Sequence, residues 1–152
     1  MEIAKIAHEE IYDEIPLNEI EEWIKNIGNF PYVQHFVAEE NNQILGFITW
    51  GFFDRYEDKI ILEIILMAVK SSFQRKRIGT QLLENSLKEI KLYWLRRGLK
   101  VVMIFVDTEE ENEKARRFYE KIIKPTQKFL IPNVFTNNRA KIFYFKNIGQ
   151  TI

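Results

Sequence analysis

Twelve residues in the middle of the chain, Val69-Lys70-Ser71-Ser72-Phe73-Gln74-Arg75-Lys76-Arg77-Ile78-Gly79-Thr80, combine the types and spacing needed to hold an anion. They follow the apolar run Ile60 to Val69 and precede a segment in which Ile78, Leu82, Leu83, Leu87, Ile90 and Trp94 recur with helical spacing. A loop that feeds a helix presents unpaired backbone N–H groups and the positive end of the helix dipole, where a pyrophosphate can sit. Arg75, Lys76 and Arg77 add charge at that point, and Gly79, with no Cβ, lets a phosphate or a neighbouring backbone come close in the first turn. An isolated Arg-Lys-Arg would read as solvated charge or as a nucleic-acid contact; its place at a strand-to-helix junction favours the cradle. Glu63 is the one carboxylate inside the apolar run. Such a group serves as a base of raised pKa, pairs across the sheet with a Lys or Arg, or turns to solvent, and the residues alone leave these readings open.

The rest of the composition narrows the chemistry by exclusion. The chain has 152 residues, enough for one domain over residues 1–152. Its 22 Lys and Arg balance 22 Asp and Glu, so no global field draws it to nucleic acid or to an anionic membrane, and neither is expected as a partner. With no Cys there is no disulfide, thiolate metal site or cysteine nucleophile. His8 and His35 have no partners at metal spacing, so no metal is expected. No Gly-x-Ser-x-Gly or Gly-x-x-x-x-Gly-Lys-Ser/Thr occurs, which argues against a hydrolase or a P-loop nucleotide enzyme. The first ten residues carry Glu2, Lys5, Glu9 and Glu10 and lack the apolar centre of a signal peptide, so a cytoplasmic location is expected.

The elements that must position the loop follow from periodicity. Alternation in Glu2 to Ala7 predicts a first strand, and Leu17, Ile20, Trp23, Ile24 and Ile27 predict a helix after Pro16 that ends at Gly28. His35 to Glu39 and Gln43 to Phe53 predict a hairpin around Asn41-Asn42, with Gly46 and Gly51 as bulge or close-approach positions. After the charged tip Asp54 to Lys59, the run Ile60 to Val69 predicts a strand buried on both faces. The helix from Ile78 should end near Gly98. Val101 to Val106 predicts another strand, and Thr108 with Glu111 spells a capping box for a helix with Ala115, Phe118, Tyr119 and Ile122 on its apolar face, stopped by Pro125. Two short strands, Lys128 to Ile131 and Ala140 to Lys146, flank a polar turn from Thr136 to Arg139. The fold class is α/β (α+β).

At this point the chain resembles the GNAT superfamily of N-acetyltransferases, whose pyrophosphate loop follows Gln/Arg-x-x-Gly-x-Gly/Ala between its fourth strand and third helix. Gln74-Arg75-Lys76-Arg77-Ile78-Gly79 fits with one departure, Arg77 in place of the first glycine. A second signature, Asn-x-x-Ala-x-x-Phe-Tyr-x-Lys, is intact as Asn112, Ala115, Phe118, Tyr119 and Lys121, although Ile122-Ile123 replaces the usual Gly-Phe. The resemblance implies a mixed, mostly antiparallel central sheet of about six to seven strands flanked by helices. It also implies acetyl-CoA (CoA) as cofactor and an amine as acceptor: a small molecule, a polyamine, an amino acid or a protein amino group. A homodimer is compatible with it, and a CoA-binding regulatory module without chemistry is the alternative.

The resemblance further implies roles for individual residues. Backbone groups of Met67, Ala68 and Val69 would pair with the pantetheine arm as an added strand and meet the oxyanion. Gln74, Arg75, Lys76, Arg77, Ile78, Gly79 and Thr80 would hold the pyrophosphate, with Asn112 and Phe118 helping to seat the cofactor. An alkylammonium has a pKa near ~10.4 and must lose a proton before it attacks, which makes Glu63 the candidate base. Tyr119 is the candidate acid for the departing thiolate, or else packs only on its helix face. Asn112 is equally suited to capping that helix.

Overall fold

The computed structural model describes residues 1–133 and 139–149. The expected first strand is absent from Glu2–Ala7; Glu2–Glu10 is helix α1. Its apolar residues Ile3, Ala4, Ile6 and Ala7 are all buried. Adjacent residues on a strand point to opposite faces, so a strand cannot bury Ile3 with Ala4 and Ile6 with Ala7, whereas a helix puts all four on one side. Helix α2, Leu17–Gly28, starts after Pro16 as expected and buries Ile20 and Ile24. Both helices pack with Phe47, Leu66 and Ala68 in one apolar cluster.

Strands β1, Gln34–Glu40, and β2, Gln43–Tyr56, form the expected antiparallel hairpin. Asn41 and Asn42 both have positive φ, 51° and 62°, the geometry of a two-residue turn whose twist matches the strands it joins. Opposite Ala38 and Glu39 the register skips a residue, passing from Gly46 to Ile44. A Cβ on Gly46 would stand 2.7 Å from the carbonyl oxygen of Ala68, so this glycine is a close-approach position. One on Gly51 would stand 2.6 Å from Cδ1 of Ile65. Because β2 runs on to Tyr56, the charged tip shrinks to the turn at Glu57 and Asp58 before β3, Lys59–Val69. Burial on β3 alternates strictly: Ile60, Leu62, Ile64, Leu66 and Ala68 are buried, while Ile61, Glu63, Ile65, Met67 and Val69 are half-buried. The run is therefore fully covered on one face only, a correction to the expectation of two buried faces. After a 3-10 turn at Ser71–Phe73 comes helix α3, Ile78–Leu95, and Gly98 follows it with φ +75°. Buried Trp50 donates its indole N–H to Ser86 Oγ on α3 at 2.9 Å.

The remaining elements are β4, Lys100–Glu109; α4, Glu113–Ile123; β5, Gln127–Ile131; and β6, Lys141–Asn147. The six strands are ordered β1-β2-β3-β4-β6-β5. β3 and β4 pair in parallel; β4 with β6, and β6 with β5, pair antiparallel. Thr108 belongs to β4, so the expected Thr108–Glu111 capping box does not form; instead Asn112 Oδ1 accepts the Ala115 N–H at 3.0 Å and caps α4. The strand is longer than its apolar core because β6 pairs with it out to Glu109. Of the turn expected over Thr136 to Arg139, all but Arg139 lies outside the described residues. The chain divides into two compact units, one of Met1–Phe52 with Ile65–Tyr93, the other of Phe53–Ile64 with Trp94–Ile152.

Candidate active site

In the first unit the loop between β3 and α3 is tied down from both sides. Glu10, at the end of α1, accepts the Ser71 N–H at 2.6 Å and the Ser71 hydroxyl, and also the Gln74 side-chain amide at 3.1 Å. That amide also donates to the Val69 carbonyl at 2.8 Å. Gln74, expected to touch the cofactor, thus has its amide hydrogens committed to holding the loop against α1 and the end of β3. Glu10 was not among the expected site residues; it lies just beyond the stretch that reads as a first strand, Glu2 to Ala7, and no local pattern ties it to the loop. Lys70 is anchored in the same way, its Nζ donating to Glu2 at 2.9 Å.

With the loop held, its backbone takes an unusual course. Gln74 is extended (φ −69°, ψ 162°), whereas Arg75 and Arg77 both have φ of +62°, with Lys76 between them. Left-handed residues in such a turn can direct neighbouring N–H groups toward one concavity, as in the backbone nests that bind anions. Arg77 therefore adopts the conformation for which a glycine is the natural choice. Ile78, Gly79 and Thr80 follow as the first turn of α3, half-buried, and Gln81 N–H closes the first turn on the Arg77 carbonyl at 3.0 Å. Arg75, Lys76 and Arg77 are exposed, with the Lys76 ammonium 5.2 Å from the centre of the Phe73 ring. Phe73 and Lys76 also wall a cavity of about 470 Å³ in this unit, together with Phe36, Glu39, Leu45 and Leu82. Met67 and Val69 lie on the half-buried face of β3, and Ala68 on its buried face.

In the second unit Glu63 stands on the half-buried face of β3, in register with Phe105 of β4. That pair is the last rung of the β3–β4 ladder, although β3 runs on to Val69 and β4 to Glu109. Burial raises the Glu63 pKa above its ordinary value, the Asp107 carboxylate raises it further, and Lys141 opposes them. Lys141 Nζ is itself 2.5 Å from Asp107 Oδ1. A carboxyl in this setting holds its proton to higher pH than a solvated one and is correspondingly a better proton acceptor when ionised. Neither Asp107 nor Lys141 carries a signal in the sequence, since only the β4–β6 register brings them together.

Helix α4 supplies Tyr119, Phe118 and Asn112. Tyr119 is 8% exposed, its ring 5.5 Å from that of Phe118 and 6.3 Å from that of Tyr144. Tyr144 pairs with Val106, one residue from Phe105, so α4 packs on the face of β4 and β6 opposite to the one that carries Phe105 and Glu63. The structure does not place the two candidate proton-transfer groups on one face of the sheet. Asn112, whose oxygen caps α4, is exposed, and Phe118 is half-buried.

Among the described residues no group of three or more His, Cys, Asp and Glu is placed to hold a metal. His35 is bound through Nδ1 to Thr49 Oγ1 at 2.8 Å, and burial lowers its pKa. No helix among the described residues is long and apolar enough to cross a membrane.

Comparison with known proteins gives this arrangement a context. The Acetyltransferase (GNAT) family profile matches residues 1–123, which run from α1 to the last residue of α4. The spore coat polysaccharide biosynthesis protein SpsD of Bacillus subtilis (strain 168) is 29% identical over 126 residues, 82% of this chain and 40% of that protein. The chain thus spans about two fifths of the length of this curated relative. An aminoglycoside 6'-N-acetyltransferase complexed with coenzyme A shares the fold with a TM-score of 0.69 and 20% identity, over 97% of this chain and 89% of that one. The ribosomal-protein-S18-alanine N-acetyltransferase of Escherichia coli does so with a TM-score of 0.60 and 18% identity, over 88% and 79%.

Proposed function

The chain belongs to the acetyltransferase (GNAT) family, whose acetyl donor is acetyl-CoA, and we propose that it acetylates a primary amine by direct attack within a ternary complex. The observation that carries this reading is Glu63: a half-buried carboxyl of raised pKa at the last rung of the β3–β4 ladder, with Asp107, itself paired to Lys141, raising that pKa further. The nest formed by Arg75 and Arg77 supports the other half of it. Its N–H groups, the first turn of α3 and the side chains of Arg75, Lys76 and Arg77 would hold the pyrophosphate. The backbone of Met67, Ala68 and Val69 would receive the pantetheine amides; Asn112 and Phe118 on α4 are the further residues that would help to seat the cofactor.

Glu63 then takes the proton that the ammonium must lose, and the neutral amine attacks the thioester carbonyl. A backbone N–H at Met67 or Ala68 would meet the oxyanion. Tyr119 hands its phenolic proton to the sulfur as the C–S bond breaks. Glu63 and Tyr119 lie on opposite faces of the sheet in the second unit, so this reading requires a thioester that both can reach. The function that SpsD's name records, spore coat polysaccharide biosynthesis, supports a small-molecule acceptor over a protein amino group.

The test is thiol release from acetyl-CoA with an amine panel, paired with calorimetry for CoA. Glu63→Gln and Tyr119→Phe should each lower turnover by about 10² to 10⁴ at neutral pH while CoA affinity stays near that of the parent. Full activity in the Gln variant rejects Glu63 as base. A parent protein that binds CoA and acetylates no amine makes the chain a CoA-binding module.

A further inference from the structure

Glu10, the last residue of α1, is half-buried against the loop that joins β3 to α3. Its Oε1 accepts the Ser71 N–H at 2.6 Å, its two oxygens lie 2.9 and 2.8 Å from the Ser71 hydroxyl, and Oε2 accepts the Gln74 amide at 3.1 Å. Among the described residues, the hydrogen bonds that tie the stretch from Ser71 to Gln74 to other elements end on Glu10 or on the Val69 carbonyl. Helix α1 is itself fixed on the core: Ile3, Ala4, Ile6 and Ala7 are buried in one cluster with Ile20, Ile24, Phe47, Leu66 and Ala68, and Glu2 near its other end accepts from Lys70 at 2.9 Å. The Glu10 carboxylate is therefore a rigid post from which the loop hangs at two points, Ser71 and Gln74. Directly beyond the second point come Arg75 and Arg77, each with φ +62°, a conformation that costs energy for a residue with a Cβ. Such residues persist only where surrounding contacts hold them.

We propose that Glu10 is a positioning residue for the acetyl donor: by fixing Ser71 and Gln74 it holds the turn that follows them in the shape that receives the cofactor's pyrophosphate. The inference rests on the reading of this loop as the pyrophosphate cradle. Glu10 acts through the loop and not on the cofactor, and its charge makes that distinction testable. A carboxylate near a diphosphate repels it through space, so if charge alone decided, removing Glu10 would tighten CoA binding. Here the carboxylate is engaged by an N–H, a hydroxyl and an amide, and hydrogen bonds to an ionised acceptor are about twice as strong as neutral ones. Without them the loop gains freedom, and the entropy of ordering it again opposes each binding event. Positioning and repulsion thus predict opposite signs for the same substitution. The effect is also confined to donors that use the turn: a thioester without a diphosphate is indifferent to whether the cradle is held.

The experiment compares acetyl-CoA with S-acetylpantetheine, which carries the thioester arm but no diphosphate, as donors to one amine on the parent, Glu10→Ala and Glu10→Gln. In Glu10→Ala the KM for acetyl-CoA should rise about tenfold, the equivalent of about 1.4 kcal/mol, with kcat within about twofold of the parent. For S-acetylpantetheine kcat/KM should stay within about twofold, since that donor makes no use of the cradle. Glu10→Gln keeps an oxygen for the Ser71 N–H but turns an amide toward that of Gln74, so its acetyl-CoA KM should fall between those of the parent and Glu10→Ala. Melting curves set a temperature at which the proteins are folded, and Glu10→Gln carries the comparison if Glu10→Ala does not fold. An acetyl-CoA KM that is unchanged or lowered on removal of the carboxylate overturns the inference. An equal loss with both donors also overturns it, because that is the mark of a purely structural role. A parent that uses both donors with the same kcat/KM shows that the loop holds no pyrophosphate; that failure is seen before any variant is made and takes the inference with it. If no amine is acetylated, calorimetry of CoA and pantetheine on the same proteins decides, a loss of affinity confined to CoA supporting the inference and its absence overturning it.

Discussion

Replacing Arg77 by glycine should make the protein more stable while leaving the proposed anion cradle in place. Arg77 has φ +62°, and an L-residue with a Cβ pays about 1–2 kcal/mol for that conformation. Glycine avoids the cost but gives back about 0.5–1 kcal/mol through its extra freedom in the unfolded chain. The net gain is about 0.5–1 kcal/mol, which for a domain of this size raises Tm by about 1–4 °C. Alanine separates the causes, because it removes the guanidinium yet keeps the Cβ, so Arg77→Ala should show no such gain. Differential scanning calorimetry on the parent and both variants reads these differences. In the same samples CoA affinity should fall by no more than about fivefold for either variant, as expected for the loss of one exposed charge, and the fall should shrink at high salt. If glycine is no more stable than alanine at this position, the backbone argument is wrong. A loss of CoA binding beyond tenfold in Arg77→Gly would mean that the guanidinium, not the nest of N–H groups, holds the phosphates.

Three further outcomes follow from the same structure. Gly46→Ala puts a Cβ 2.7 Å from the Ala68 carbonyl oxygen and 3.1 Å from Val69 Cα, both backbone atoms, so urea unfolding should show a loss of about 1–3 kcal/mol; an unchanged midpoint would refute the close approach. Asn112→Ala should lose about 1 kcal/mol with the cap of α4, whereas Asn112→Asp should lose little, and equal losses would show that the Asn112 oxygen is not what matters. Burial and Asp107 raise the Glu63 pKa, so the folded state binds that proton more tightly than the unfolded chain, and stability is lost as pH rises from the ordinary carboxylate range through the folded pKa. Glu63→Gln removes this loss: its Tm relative to the parent should climb between acid and neutral pH, and a pH-independent difference would contradict the shift.

What the sequence made legible depends on how local the determining physics is. The Asn41-Asn42 hairpin, the helix from Ile78 and Gly98 with its positive φ follow from neighbouring residues, and each appears in the structure. The N-terminal segment misled because Ile3-Ala4 and Ile6-Ala7 look like alternation over six residues, whereas their pairing is a helical period that burial beneath α2 reveals. Thr108 was misplaced because its fate is set by Ile142, its partner on β6, which local capping patterns do not register. The loop between β3 and α3 could be located from its composition and position. Its anchor could not, since Glu10 reaches Ser71 and Gln74 from 61 and 64 residues away. The environment of Glu63 was equally hidden: Asp107 and Lys141 are brought near it only through the parallel β3–β4 and antiparallel β4–β6 registers.

The most direct test of the account is the pH dependence of kcat/KM for the parent and Glu63→Gln, measured by thiol release with a weakly basic acceptor whose own protonation does not mask the enzyme's. With Glu63 as base, the parent should lose activity as pH falls through a single ionisation above the ordinary carboxylate range. The Gln variant should be slower at every pH and should lack that limb. The same limb in both proteins, or a Gln variant as fast as the parent at neutral pH, would contradict the assignment of Glu63 and with it the mechanism built on this face of the sheet.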